Sequence, residues 1–167
     1  AKEGCDLVEL WTYPSEEYVF LLVPPGSDID ELSDLTPTSV VVTDGEGSGS
    51  DFTLRQFRRI EQSDLGSKDG WSKAQVVNKT VRSAIGQGAA GKAQAVFFVG
   101  SLTSEDLQFY IKSGWVPVEV YDRQLDDLQF NGKPLYEGTK VKVPNYGKVY
   151  TYRVKTFIYG RELNEQE

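Results

Sequence analysis

The 167-residue sequence contains no histidine and no methionine, and it has a single cysteine, Cys5. Without histidine there is no Ser-His-Asp or Cys-His nucleophile, no imidazole acid or base and no His-ligated zinc. A lone cysteine cannot form an internal disulfide, so cysteine usage leaves the redox compartment open. We therefore expect a protein that is not an enzyme and that uses neither a metal nor a cofactor.

Positive charge and long apolar runs are also scarce. Lys and Arg number 18 against 25 Asp and Glu, and the resulting net charge of −7 repels polyphosphate, which argues against nucleic acid as a partner. The longest apolar runs, such as 19–23, have the length of a strand, so we expect no membrane insertion. The first ten residues lack the pattern of a signal peptide, and together with the missing methionine they predict a processed or excised piece of a longer protein.

What remains is the composition of a folded domain, with 39% hydrophobic and 12% aromatic residues. Short apolar runs predict buried strands, which are Tyr18 to Val23, Ser39 to Thr43, Ala74 to Val77, Ala95 to Val99 and Val116 to Tyr121. Helical spacing lies between them, at Asp51 to about Gln62, a segment carrying Val81, Ala84 and Ile85, a segment from Thr103 or Ser104, and Asp122 to Leu128, and the stretch Asp28 to Leu35 is a short helix or a turn.

This alternation predicts an α/β fold, a three-layer sandwich with a mainly parallel sheet. From Thr139 to Ile158 the texture changes to β-branched, Lys and Tyr residues interrupted at 144–147, which indicates longer, half-exposed strands. We expect the strand at Tyr18 to Val23 and the one at Tyr150 to Tyr159 to lie side by side, which would bring the two ends of the chain together.

The loop Gly45-Glu46-Gly47-Ser48-Gly49-Ser50 is the strongest candidate for a binding site. It follows a buried strand and precedes a helix, where unpaired N–H groups and the helix dipole favour a carboxylate or a phosphate. Gly47 and Gly49 allow close approach of the backbone, and Ser48 and Ser50 offer hydroxyls. The alternative is a plain connector with a serine cap. No lysine follows as in a Walker loop, so nucleotide binding has little support.

Two further aromatic segments are candidates for the walls of such a site. Phe98 and Gly100 stand at another strand end, before a turn and a helix start, although Phe97 and Phe98 also fit a plain core. Tyr13, just before the first strand, is a candidate for the same cleft. Arg55, Arg58 and Arg59 form a basic helical stripe, which on an acidic domain is more often a solvated face than a phosphate clamp.

The order of these pieces resembles a known family of receptors. The segments Phe20 to Val23, Pro24 to Ser27, Ile29 to Leu35, Val40 to Val42 and Gly45 to Ser50 resemble the strand, turn, helix, strand and G-x-G-S-G loop of TAXI-type periplasmic solute-binding proteins, the receptors of tripartite transporters. The stretch 85–114 resembles that family's segment A-L-x-x-G-x-x-D-A-x-F-x-x-G, with Gln94 at a position where the family often has Asp.

The resemblance implies one lobe of a type II periplasmic-binding fold. It implies that 11–25 and 148–160 are strands crossing a hinge to a second lobe, that the location is periplasmic or extracytoplasmic, and that a transporter or a sensor component is the partner. The ligand would be a small anionic solute, an amino acid or organic acid, held by Gly47, Ser48, Gly49 and Ser50 with Phe98, Gly100 and Tyr13. The alternative is a sensory or protein-interaction domain, which one exposed patch of Trp71, Trp115 and the tyrosines at 146, 150, 152 and 159 would favour.

Overall fold

The computed structural model describes residues 7–12, 16–63, 70–80, 82, 93–130, 132–134, 136–154 and 157–161. Over these residues the chain is a mixed α/β protein with a central sheet and helices. None of the helices in this part of the chain has the length and apolar character to cross a bilayer.

Seven strands form the central sheet. Along the main path their order is β4 (Gln75–Asn78), β3 (Val40–Thr43), β5 (Ala95–Gly100), β2 (Glu17–Val23), β10 (Gly147–Val154) and β9 (Glu137–Val143), with β6 (Val116–Val118) paired to the far half of β2. All five predicted apolar strands are present, with boundaries shifted by a few residues. The strands β9 and β10 form a hairpin around residues 144–146, as the change in texture predicts.

The sheet is mixed rather than mainly parallel, which corrects the sequence prediction. Strand β3 is parallel to β4 and β5, but β2 is antiparallel to β5, β6 and β10, and β9 is antiparallel to β10. Five strands therefore run in one direction, and β2, in the middle of the sheet, and β9 run in the opposite one. The strand-helix alternation is compatible with this arrangement because the helices Gly49–Ser63 and Glu105–Lys112 each join strands of the same direction, β3 to β4 and β5 to β6.

Helices cover both faces of the sheet, giving three layers. Helix α1 (Gly49–Ser63) and the short α3 (Arg123–Asp127) pack on one face, and α2 (Glu105–Lys112) packs on the other. Strand β2 shows why its sequence lacks alternation: Val19 and Leu21 belong to the first core, and Phe20 and Leu22 to the second.

The other predicted helices are shorter or fall elsewhere. The stretch Asp28 to Leu35 contains only a 3₁₀ turn at Leu32–Asp34, and a second 3₁₀ turn lies at Gly70–Lys73. The predicted helix with Val81, Ala84 and Ile85 lies outside the described residues except at its edges. A small hairpin, β7 (Gln129–Phe130) with β8 (Lys133–Pro134), has no counterpart in the sequence prediction.

The ends of the described chain form a separate two-stranded ribbon. Strand β1 (Leu7–Thr12) pairs antiparallel with β11 (Phe157–Arg161). Along the chain β2 follows β1, and β10 precedes β11. Glu17 pairs with Val154 and Tyr18 pairs with Arg153, so the predicted contact between β2 and β10 is confirmed. We call these two residue pairs the neck; residues 13–15 and 155–156, between the neck and the ribbon, lie outside the described residues.

The neck and the carboxyl ends of the parallel strands share one edge of the sheet. Gly100, the last residue of β5, pairs with Tyr18 in the first part of β2. Thr43 and Asn78, which end β3 and β4, are register partners on the same side. The ribbon therefore leaves the sheet at the end where β3, β4 and β5 finish and α1 begins.

Candidate functional site

The loop between β3 and α1 turns tightly before the helix begins. Gly47 has a φ of +84°, a conformation that a residue with a Cβ rarely adopts, and the Ser48 N–H donates to the Gly45 carbonyl at 3.1 Å. The predicted helix start at the end of a buried strand is confirmed, one or two residues earlier than the apolar spacing indicates.

Ser48 is the N-cap of α1. Its Oγ accepts the Asp51 N–H at 3.1 Å, and its carbonyl accepts the first helical hydrogen bond from the Phe52 N–H at 2.9 Å. The two remaining N–H groups of the first turn, on Gly49 and Ser50, have no acceptor among the described residues, as expected for the first turn of a helix. These are the donors that a ligand would meet, and Gly49 is exposed with open space beside it.

The side chain of Ser50 is used inside the protein. It is 4% exposed, accepts the Val99 N–H at 3.0 Å and lies 3.4 Å from Asp44 Oδ2, to which it donates. Ser50 therefore ties the start of α1 to the end of β5, and only its backbone N–H is left for a ligand.

Asp51 fixes the loop from within. Its carboxylate accepts the Gly47 N–H at 3.0 Å and the Asn78 Nδ2 amide at 2.9 Å, and it pairs with Arg55 at 3.0 Å. Asn78 Nδ2 also donates to the Asp44 carbonyl at 2.8 Å, which links the ends of β3 and β4 to the helix. Burial on its own would raise the pKa of Asp51, but the Gly47 and Asn78 hydrogen bonds and the Arg55 charge hold it below its ordinary value.

This lowered pKa predicts a dependence of stability on acid. A carboxyl with a depressed folded-state pKa stabilises the fold above its ordinary value of 3.8, and that contribution is lost as the pH falls through the folded-state value. Asp51→Asn should therefore unfold at lower urea concentration than wild type at about pH 7, and the gap should shrink at about pH 2.5. Asp127→Asn, which breaks an exposed pair with Arg123, is the control and should change little at either pH. A gap for Asp51→Asn that stays constant with pH would contradict this role.

Phe98 is a core residue on the opposite face of the sheet from α1. It is 6% exposed, its ring is stacked 6.3 Å from that of Phe20 and meets Tyr110 edge-on at 5.8 Å. A Cβ on Gly100 would lie 2.5 Å from Phe98 Cζ, so the glycine makes room for this ring. The structure therefore does not bring Phe98 to the loop, because successive side chains of β5 point to opposite faces. Tyr13 lies outside the described residues.

Three residues that hold the loop in place were not predicted from the sequence: Asp44, Asp51 and Asn78. The sequence signals were an acidic residue directly after a buried strand, an acidic residue three positions after a serine cap, and an Asn at the next strand end. The predicted basic stripe also needs correction, because Arg58 turns inward and donates to the carbonyls of Ser72 at 2.7 Å and Ala74 at 3.1 Å. Arg82, after β4, is engaged with Asp106 at 2.5 Å and lies over the Phe109 ring.

No protein-family model and no curated protein matches this chain. Three solved structures resemble it weakly. They are a substrate-binding protein of an amino acid ABC transporter (TM-score 0.41, 12% identity), the second substrate-binding domain of a putative amino acid ABC transporter from Streptococcus pneumoniae (0.42, 16%) and an ABC-transporter choline-binding protein in an unliganded semi-closed conformation (0.40, 12%). In the same order, the matches cover 86%, 89% and 89% of this chain and 48%, 50% and 46% of the other chains. This chain therefore spans about half the length of those proteins.

Proposed function

We propose that this chain is a non-catalytic solute-binding lobe that holds the carboxylate of an amino acid at the first turn of α1. The observation that carries the proposal is that the N–H groups of Gly49 and Ser50 have no acceptor in the described part of the chain and lie at the end of the sheet from which the ribbon leaves. A carboxylate there would gain two hydrogen bonds and the favourable end of the helix dipole. The loop is already held in place by Ser50, Asp51 and Asn78, so little ordering is needed on binding.

Acidic residues beside the loop favour an amino acid over a ligand that carries only negative charge. Asp44 lies beside Ser50 and makes no ion pair among the described residues, and Glu46 is exposed in the loop. A second carboxylate on the ligand would be repelled by these charges, whereas an ammonium group would be attracted to Asp44. A zwitterion satisfies both the N–H groups and the carboxylate. Phe52, which is 59% exposed on the first turn of α1, offers an apolar surface to the rest of such a ligand.

The two-lobe design belongs to the same proposal. Strand β2 and most of β10 and β11 fall within the segments 11–25 and 148–160 expected to cross a hinge, whereas only the last two residues of β1 do. A second lobe joined through the ribbon would lie over the strand ends and close on the ligand, and binding would favour the closed state in proportion to its differential affinity. The extracytoplasmic location, a transporter or sensor component as partner, and membership of the TAXI-type receptors complete the proposal, with the sequence resemblance as their support.

The aromatic patch that would favour the alternative, a protein-interaction domain, is largely buried. Trp71, Trp115 and Tyr152 are buried at 2%, 5% and 0% exposure, so they form no exposed aromatic patch. Tyr146 is exposed at the tip of the β9–β10 hairpin, and Tyr150 is half-buried. The side chain of Tyr159 lies outside the described residues, so of the predicted patch only Tyr146 and the half-buried Tyr150 remain at the described surface, too few for a contiguous patch.

A panel of small solutes tests the proposed ligand class. L-alanine and L-leucine carry both charged groups, propionate and succinate lack the ammonium, and ethylamine lacks the carboxylate. At a concentration of about ten times Kd, binding adds roughly 1.4 kcal/mol to stability, a rise of about 3–6 °C in Tm for a chain of this size. We expect the amino acids to raise Tm most, propionate less, and succinate and ethylamine least. Stabilisation by ethylamine equal to that by L-alanine, or no stabilisation by any carboxylate, would contradict the proposal.

A further inference from the structure

Arg153 stands where β10 is about to leave the sheet for the ribbon. Its register partner on one side is Tyr18 of β2, and on the other side it is Glu137, the first residue of β9. One residue later β10 ends, and β11 of the ribbon begins at Phe157. Arg153 is therefore the central residue of a three-strand row at the neck.

Its guanidinium contacts the segment that enters β2 and the first residue of β9. Nη1 lies 3.6 Å from Glu16 Oε1 and 3.6 Å from Glu137 Oε2, and the guanidinium carbon lies 5.9 Å from the centre of the Tyr18 ring. Tyr18 Oη donates to the second oxygen of Glu16 at 2.7 Å, which closes a ring of contacts around the entering strand. Glu16 directly precedes β2 and Arg153 lies one residue before the end of β10, so this ion pair joins the two strands that lead to the ribbon.

The chemistry of this cluster suits a clasp better than a general stabiliser. Arg153 is 26% exposed while its two carboxylate partners are 57% and 50% exposed, so each ion pair on its own adds little to global stability. The planar guanidinium can contact two carboxylates and an aromatic face at once, which a lysine ammonium on a flexible stem cannot reproduce. We therefore expect the Arg153 guanidinium to act mainly by holding β2, β9 and β10 in position relative to one another.

We propose that Arg153, with Glu16, Glu137 and Tyr18, is an electrostatic clasp that fixes the pairing of β2 and β10 at the neck and thereby anchors the β1–β11 ribbon to the sheet. Releasing the clasp loosens this end of the sheet and the ribbon, and leaves α1 and β5 intact. Its consequence for lobe closure rests on the proposed solute-binding function, but the clasp itself does not. It is therefore tested without any solute.

Hydrogen exchange followed by mass spectrometry on the full chain measures the clasp. In Arg153→Gln the backbone amides of β1 and β11 should exchange roughly two to five times faster than in wild type, while those of α1 and β5 stay unchanged. Arg153→Lys should fall between the two, because it keeps the charge and loses the planar fork. Raising the salt to about 0.5 M should speed ribbon exchange in wild type and leave Arg153→Gln unaffected, since the pairs are screened.

The matched control is Arg123→Gln, which removes an exposed ion pair with Asp127 far along the chain from the neck and should leave ribbon exchange unchanged. Ribbon exchange in Arg153→Gln equal to that in wild type would overturn the proposal. So would an equal acceleration in the ribbon, α1 and β5, because it would mean a general loss of stability. Neither result would bear on solute binding, and failure of the solute panel would leave the clasp standing.

Discussion

Replacing Phe57 by alanine is expected to lower the free energy of unfolding by about 3–5 kcal/mol. Phe57 is fully buried at the middle of α1 and is the hub of the core on that face. Its ring meets Tyr136 at 4.8 Å, Tyr152 at 5.8 Å and Phe97 at 5.9 Å, each edge-on. Truncation would leave a cavity among these three rings and lose the contacts that seat α1 on the sheet.

Urea unfolding followed by circular dichroism measures the effect. Phe57→Leu keeps most of the volume and should lose less, about 1–1.5 kcal/mol. Phe52→Ala lies on the same helix at 59% exposure and should change stability by no more than about 0.5 kcal/mol, which separates loss of packing from loss of an aromatic residue. A loss below about 1 kcal/mol for Phe57→Ala would contradict the packing of α1 described above.

Local patterns in the sequence were sufficient to predict the main elements of the sheet and α1. The run at 18–23 is apolar at every position because β2 faces a core on both sides, and the same holds for Ala95 to Phe98. In α1 the spacing of Leu54, Phe57 and Ile60 places them toward the sheet. These features depend on neighbours in sequence, so periodicity reveals them.

The direction and order of the strands could not be read in the same way. The apolar run of β2 fits either direction, and its position between β5 and β10 is set by pairings with residues about 80 and 135 positions away along the chain. The short β6 likewise depends on pairing with the far half of β2. A strand buried on both faces carries no signal for which neighbour lies on which side.

The helix start at the candidate site was predicted from the sequence, but the hydrogen bonds that hold its loop were not. A glycine-serine loop between a buried strand and a helix marks a helix start, and Ser48 occupies the cap position. The contacts of Ser50 with Val99 and of Asp51 with Asn78 span 49 and 27 residues, so no local pattern announces them. Phe98 was placed at the site because a strand end and a turn follow it, whereas the pleat of β5 turns its side chain to the other face.

Replacing Gly49 by proline is the second change with a large expected effect. Gly49 is the first residue of α1, a position at which proline is well tolerated because its fixed φ suits the helix and its N–H is unpaired there. A side chain at this position would meet open space. Gly49→Pro therefore removes one of the two proposed ligand donors and keeps the helix. Loss of a hydrogen bond to a charged group predicts a rise in Kd of roughly 10- to 100-fold.

Gly49→Ala is the matched control, because it adds a Cβ in the same open space and keeps the N–H. The most direct measurement is an NMR titration of the ¹⁵N-labelled wild-type, Gly49→Ala and Gly49→Pro chains with L-alanine. We expect the Gly49 and Ser50 amide signals of wild type to move with increasing L-alanine. Gly49→Ala should bind with similar affinity, and Gly49→Pro should bind at least about ten times more weakly. Equal affinity of all three chains, or shifts confined to amides away from the first turn of α1, would contradict the proposed site.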